Sequence, residues 1–297
     1  KILAIFYKND FEKFSNVLYS RLKNKIIDIN TIQVLSKKWV ENVIKFINYK
    51  KPFYSVEDLK WKFTGKSALI LGAGPSLADN IEKIKANREK YTIFAVNKCL
   101  SILEKNNIIP DFAIFSDAKN IMNKYNLSNE FTSKMNIIVD WKAEAEISRL
   151  RVKNLFVYFS NNELFLLKYA KELGIELFSS EQTTTIMALM CAKFMDFTKI
   201  YFCGFDLAFK DNQAYSGGDK VNITNNSAKI DNSSKKIVEV ASINGKMIPT
   251  REDYSIFIKT METIIKTKGL KNLYNITDFG AYIEGMIYTS FDAINFI

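Results

Sequence analysis

Residues 68 to 77, ALILGAGPSL, end a short apolar run in two glycines one residue apart, followed by a proline, a serine and a leucine. Ala68 to Leu71 fit a buried parallel strand, whose signature is a continuous apolar run rather than alternation. The turn after it has the makings of an anion cradle. Gly72 and Gly74 let backbone approach a ligand closely, Pro75 suits the first position of a helix, and Ser76 offers a hydroxyl. The dinucleotide fingerprint G-x-G-x-x-G is incomplete, because its third glycine, which lets helix and strand pack closely, is Leu77 here. A tight turn that binds nothing is the competing reading. Upstream, Gly65-Lys66-Ser67 imitates the tail of a phosphate-binding loop. The glycine that loop needs at position 60 is Lys60, and the triplet precedes its strand rather than following it.

Three more apolar runs end in polar residues: IFAV in Asn97, FAIF in Ser116-Asp117, and IYFC in Gly204-Phe205-Asp206. Ligands of open parallel sheets bind outside the carboxyl ends of the strands, where these residues would fall. Each alone reads as a helix cap or turn former. As a set they offer both phosphate-type and sugar-type partners, which favours a binding site. Thr183, Thr184 and Thr185 follow Gln182 and open a helix of small and apolar residues. One of them suffices as an N-cap, and three hydroxyls at a positive helix end also suit a phosphate or carboxylate.

What is missing narrows the chemistry. The 297 residues include no histidine, which removes Ser-His-Asp and Cys-His catalysis, histidine zinc sites and an imidazole base. Acid-base work must fall to carboxylates, tyrosines, lysines or the substrate. The three cysteines, Cys99, Cys191 and Cys203, are far apart in apolar surroundings and read as small buried hydrophobes. A net charge of +10 raises the question of nucleic acid. The lysines are scattered and arginines few, so a basic surface for a small anionic substrate or an acidic partner is the better functional reading. A lysine-rich composition without functional meaning competes with it. No apolar run is long enough to span a membrane and no signal peptide opens the chain, so a cytoplasmic protein is expected. The abrupt start at Lys1 and end at Ile297 lead us to expect a piece of something longer.

The elements that must position these residues follow from hydrophobic period. Residues 1–60 show helical spacing at Phe11, Phe14, Val17, Leu18 and Leu22 and again at Trp39, Val43, Ile44 and Phe46, which predicts two or three helices ended by Lys51-Pro52. From 61 to 297 strands and helices alternate. Strands are predicted at 68–71, 92–96, 112–115, 136–139, 155–159 and 200–203. Helices are predicted at 77–87, 99–106, 163–173, 184–194 and 251–268. That alternation predicts a doubly wound, mainly parallel α/β domain after a short N-terminal helical segment. The polar, asparagine-rich stretch from Ala208 to Lys246 is expected to be a lid or an irregular insertion beside the site.

GAGPSL, FAVNKCL with IIPDFAIFSD, QTTTIMALMCAKF, KIYFCGFDLAF and YSGG together resemble the central domain of the motility accessory factor family. The resemblance covers about residues 60–290, with WVENVIKFI similar to that family's lead-in. It implies O-glycosylation of flagellin, in support of flagellar assembly and motility. A nonulosonic acid of the pseudaminic or legionaminic type would move from a CMP-activated donor to serine or threonine. The implied fold is similar to bacterial sialyltransferases, which share the G-x-G-P-S turn. On that resemblance Gly72, Gly74, Pro75 and Ser76 approach the cytidine phosphate. Asn97 with Ser116 or Asp117 holds the nucleotide, and Thr183 to Thr185 lie near base or phosphate. Tyr215 falls where the sialyltransferases place a tyrosine that hydrogen-bonds the leaving phosphate. Those enzymes use a histidine base, which this chain lacks. Either a carboxylate, Asp117 or Asp206, replaces it, or the acceptor proton leaves late, to the departing phosphate.

A second resemblance, to archaeal hydroxymethylpterin diphosphokinases, rests on the same G-x-G-P-S turn and implies pyrophosphoryl transfer. Magnesium would then be held by Asp117 and Asp206. The non-enzymatic alternative is a flagellin-binding or chaperone module with a vestigial crevice, which would show no thermal shift with CMP. Nothing in the sequence fixes an oligomeric state.

Overall fold

The computed structural model describes residues 8–48, 52–118, 126–160, 168, 171–172, 178, 183–212, 215, 223–224, 227–230 and 233–294. Its centre is a sheet of nine parallel strands. These are β1 (Tyr54–Ser55), β2 (Ser67–Leu71), β3 (Thr92–Val96), β4 (Phe112–Phe115), β5 (Asn136–Asp140), β6 (Asn154–Tyr158), β7 (Lys199–Cys203), β12 (Leu273–Ile276) and β13 (Ile287–Thr289), in the order β1-β6-β5-β4-β3-β2-β7-β12-β13. Every pairing within this sheet is parallel. The chain steps outward from β2 through β3, β4, β5 and β6, then returns to lay β7 against the other side of β2. The direction of winding reverses between β2 and β7, and the crevice of a doubly wound sheet opens at that point.

The continuous apolar runs are strands because both of their faces are covered. Leu69 and Leu71 of β2 pack on one side with Ile81 and Ile84 of α2 (Ser76–Ala86) and Leu100 and Leu103 of α3 (Leu100–Lys105). Ala68 and Ile70, one residue out of phase, pack on the other side. There they meet Ile186 to Leu189 of α5 (Thr184–Phe194) and Ile258, Met261 and Ile265 of α6 (Glu252–Thr267). A single turn, α4 (Asn129–Thr132), precedes β5.

Three regions differ from the sequence reading. The N-terminal segment is one helix of 40 residues, α1 (Lys8–Ile47), rather than two or three. No glycine or proline interrupts residues 8 to 47, so the apolar spacing continues through what looked like breaks. Near its end, Val43 and Phe46 are buried in the core, and Asn42 Nδ2 donates to the carbonyls of Ala118 (2.8 Å) and Lys142 (3.0 Å). The chain joins the sheet before residue 60, because β1 pairs with β6. The asparagine-rich insertion, within its described residues, contributes a second, antiparallel sheet. It contains β8 (Ile223–Thr224), β9 (Ser227–Ile230), β10 (Ser233–Ala241) and β11 (Met247–Arg251), in the order β11-β10-β9-β8. Its small core, Phe209, Ala228 and Ile237, is too thin to register as a pattern of apolar residues. The helix expected at 163–173 lies outside the described residues except for 168 and 171–172. Among the described residues no helix is long and apolar enough to cross a membrane.

Candidate functional site

A cavity of about 280 Å³ lies at the carboxyl ends of β2, β3, β4 and β7, at the point of reversal. Its floor is Gly72, Ala73 and Gly74 after β2 and Gly204 after β7. Asn97 and Lys98 enter after β3, Ser116 and Asp117 after β4, and Thr183 to Thr185 from the start of α5. The opposite wall comes from the insertion and the helix after it, with Tyr215, Arg251, Asp253, Tyr254 and Phe257. Of the residues singled out in the sequence, Gly72, Gly74, Asn97, Ser116, Asp117, Thr183, Thr184, Thr185, Gly204 and Tyr215 line this cavity. Three other candidates, Pro75, Ser76 and Asp206, do not line it.

The reason lies in how the glycine turn is fastened. Gly72 N–H donates to Cys203 O (2.8 Å) and Gly74 N–H to Gly204 O (2.7 Å), so these amides point along the sheet toward β7. A Cβ on Gly74 would stand 2.5 Å from Asp206 Oδ2 and 2.7 Å from Gly204 O, so glycine is required there by the neighbouring chain itself. The Ser76 hydroxyl, read from sequence as free for a ligand, is buried and accepts from Gly204 N–H (3.0 Å). Ser76 N–H donates to Asp206 Oδ2 (2.8 Å). Asp206 is 1% exposed, and its Oδ1 has no hydrogen-bond partner among the described residues. Burial pushes its carboxyl up to about 6, against the lowering effect of its hydrogen bonds from Ser76. Asp206 therefore stands behind the turn, as the residue that ties it to β7.

The other strand ends present a linked polar rim. Asn97, 3% exposed, donates from Nδ2 to Asp117 Oδ2 (2.9 Å), and its Oδ1 accepts from Lys98 N–H (3.1 Å). Both Asn97 bonds fix the amide's orientation. The hydroxyls of Ser116 and Thr184 share a 2.7 Å hydrogen bond. Thr183 has extended backbone and accepts at its hydroxyl from Ile186 N–H (3.1 Å), the N-cap of α5. Thr183→Ala is expected to lower stability by about 1 kcal/mol, read as a fall in the urea midpoint, since it frees one amide at the helix start.

Sequence reasoning missed the cationic wall. Lys98 Nζ donates to Tyr215 Oη (3.1 Å) and lies 4.5 Å from the ring centroid. Arg251 Nη1 donates to the same oxygen (2.5 Å). Arg251 is 6% exposed, and its Nε and Nη2 fork onto the Asp253 carboxylate, with Nε–Oδ1 at 2.8 Å. Its guanidinium rests on the Tyr254 ring at 4.4 Å. The fork and the stacking together hold the guanidinium plane. Arg251 caps β11 and opens α6. The only signal for it was an arginine and an acidic pair at a helix start, which ordinarily reads as surface capping.

Fold and cavity together define a doubly wound α/β protein whose ligand site lies at the switch point of its sheet. Residues 40–212, more than half of the chain, match the model of the 6-hydroxymethylpterin diphosphokinase MptE-like family. The chain belongs to that family. A relative from Treponema pallidum (strain Nichols), described as an uncharacterized protein, is 31% identical over 116 residues, 39% of this chain and 54% of the relative. The chain thus spans about half the length of that relative. The structure of MAf glycosyltransferase from Magnetospirillum magneticum AMB-1 is similar with a TM-score of 0.65 at 20% identity, over 88% of this chain and 39% of the other. The fold expected from the resemblance to motility accessory factors is therefore the fold found.

Proposed function

We propose that the protein is a glycosyltransferase that moves a nonulosonic acid from a CMP-activated donor to serine or threonine of flagellin, in the cytoplasm. The observation that carries this reading is the cavity itself. Polar strand ends and a cationic wall meet at the switch point of a sheet that shares its fold with a glycosyltransferase. A nucleotide-activated acidic sugar brings negative charge on both its phosphate and its carboxylate. Lys98 offers positive charge at the rim, and Arg251 offers it where the residue is buried and the attraction is stronger. The side-chain-free floor at Gly72, Gly74 and Gly204 lets a phosphate come close to backbone. Asn97, Asp117, Ser116 and Thr184 supply both donors and acceptors for sugar or base hydroxyls and amides.

The family description makes pyrophosphoryl transfer the second reading. That chemistry needs carboxylates to hold magnesium, and the pair expected for it, Asp117 and Asp206, is divided by the cavity wall. Asp253 is committed to Arg251, and among the described residues no three Asp, Glu, His or Cys side chains gather as for a metal. The described side chains therefore do not form the magnesium site this reading asked for. Titration calorimetry with CMP, CDP, ATP and NAD distinguishes the readings. Saturable heat with CMP and CDP, weakened by Asn97→Ala, is the expected result. Tight binding of magnesium-ATP without any binding of CMP would overturn the glycosyltransferase, and heat with none of the four would favour a non-catalytic flagellin-binding module.

A further inference from the structure

A transfer to a hydroxyl must dispose of that hydroxyl's proton, and this chain has no histidine to take it. Asp206 lies behind the turn, Asp253 is held in the Arg251 fork, and Asp117 is tied to Asn97, from whose Nδ2 it accepts at 2.9 Å. We infer that Tyr215, set between Lys98 and Arg251, is the base that takes the proton of the acceptor hydroxyl. This inference rests on the glycosyltransferase reading and assigns that site its missing proton acceptor.

The hydrogen bonds set the direction. Lysine ammonium and arginine guanidinium only donate, so both bonds at Tyr215 Oη run into the oxygen, from Nζ at 3.1 Å and Nη1 at 2.5 Å. Two cationic donors on one phenolic oxygen favour the ionised form, because each bond strengthens when its acceptor carries charge. Arg251 cannot turn away, fixed as it is by Asp253 and the Tyr254 ring. The surroundings agree. Burial alone would raise the Tyr215 phenol, yet the charge of Lys98, then that of Arg251, with a hydrogen bond from Tyr254, brings it below its ordinary value. Among the described residues, the charged and titratable groups that share its cavity are Lys98 from the turn after β3, Asp117 after β4, and Arg251, Asp253 and Tyr254 from the junction of β11 and α6. The insertion packs Tyr215 with the apolar Phe209 and Ile237.

The step balances without a further reactant. The acceptor oxygen bonds to the anomeric carbon as the bond from that carbon to the CMP phosphate oxygen breaks and its electron pair leaves with the phosphate. The acceptor's proton passes to Tyr215 Oη. This role is the reverse of the one implied by the resemblance, in which Tyr215 donates to the leaving phosphate.

Tyrosinate absorbance, followed against pH in the free protein, reads the ionisation without any substrate. Expected is one phenol that ionises below the others, absent from Tyr215→Phe and moved to higher pH in Lys98→Met. In transfer assays Tyr215→Phe is expected to lower kcat about 100-fold. Because the deprotonated form is the active one, Lys98→Met should move the rising limb of the pH–rate profile to higher pH. An aryl nonulosonide donor, whose leaving group needs no assistance, separates base from leaving-group donor. The Tyr215→Phe loss persists with it if Tyr215 is the base. Recovery with the aryl donor, or a wild-type titration lacking the low phenol, overturns the inference. A failure of the glycosyltransferase reading shows separately, as wild-type protein that transfers from neither donor and so leaves the base without a reaction.

Discussion

Gly204→Ala is expected to unfold the protein at markedly lower urea, with a loss on the order of 4 kcal/mol or more. Two effects add. The residue has φ +74, where an L side chain is strained by about 1–2 kcal/mol. Its Cβ would also press into the Gly72 carbonyl oxygen and lie 3.0 Å from Leu77 Cβ. Neither neighbour can withdraw, because Gly72 is paired to Cys203 and Leu77 is wholly buried. Gly245 separates the two effects. It has a similar φ of +80 with nothing within 4 Å of the added carbon, so Gly245→Ala should show the strain alone. Equal midpoints for the two variants would mean that the close approach of β2 and β7 contributes nothing.

Asp206→Asn is expected to be more stable than wild type at pH 7.5, by an amount on the order of 3 kcal/mol, and equal or less stable near pH 4. Burial raises the Asp206 carboxyl to about 6, so the folded state favours the neutral acid. Between the ordinary carboxylate value and about 6 the native protein keeps a proton that the unfolded chain releases. The contribution to stability is therefore fully present below that window and is lost as pH rises through it. An asparagine carries no charge to bury and still offers an oxygen to Ser76 N–H. Urea unfolding of both proteins across this range checks the sign, and parallel stability curves would refute it. Turnover should survive the change, since Asp206 does not line the cavity. A stable Asp206→Asn protein without turnover would return the residue to the chemistry.

The sheet was legible because burial on both faces leaves unbroken apolar runs, and β2, β3, β4, β5 and β7 each carry one. The strand-end rule then pointed to Asn97, Asp117 and Gly204, which line the cavity. Direction was not legible. Ser76 and Asp206 sit at the same strand ends, yet they face each other across the turn, and only the pairing of β2 with β7 decides that. The cationic wall was hidden for another reason. Arg251 gains its meaning from Tyr215, which is 36 residues away. Periodicity within the polar insertion gave no hint that its strands would bring the two together. The single long α1 was missed because apolar spacing marks faces, not ends, and ends need a breaker.

The fastening of the glycine turn to β7 has a consequence for descent. Gly72, Gly74, Ser76, Gly204 and Asp206 answer to one another, so they must be inherited as a set whatever the ligand. Asn97 and Lys98 after β3, Asp117 after β4 and Arg251 at the end of β11 carry no share of that constraint. A lineage can thus exchange one ligand for another by altering the rim while the turn stays as it is. The G-x-G-P-S turn of this chain is thus accounted for by its scaffold and gives no vote on the substrate.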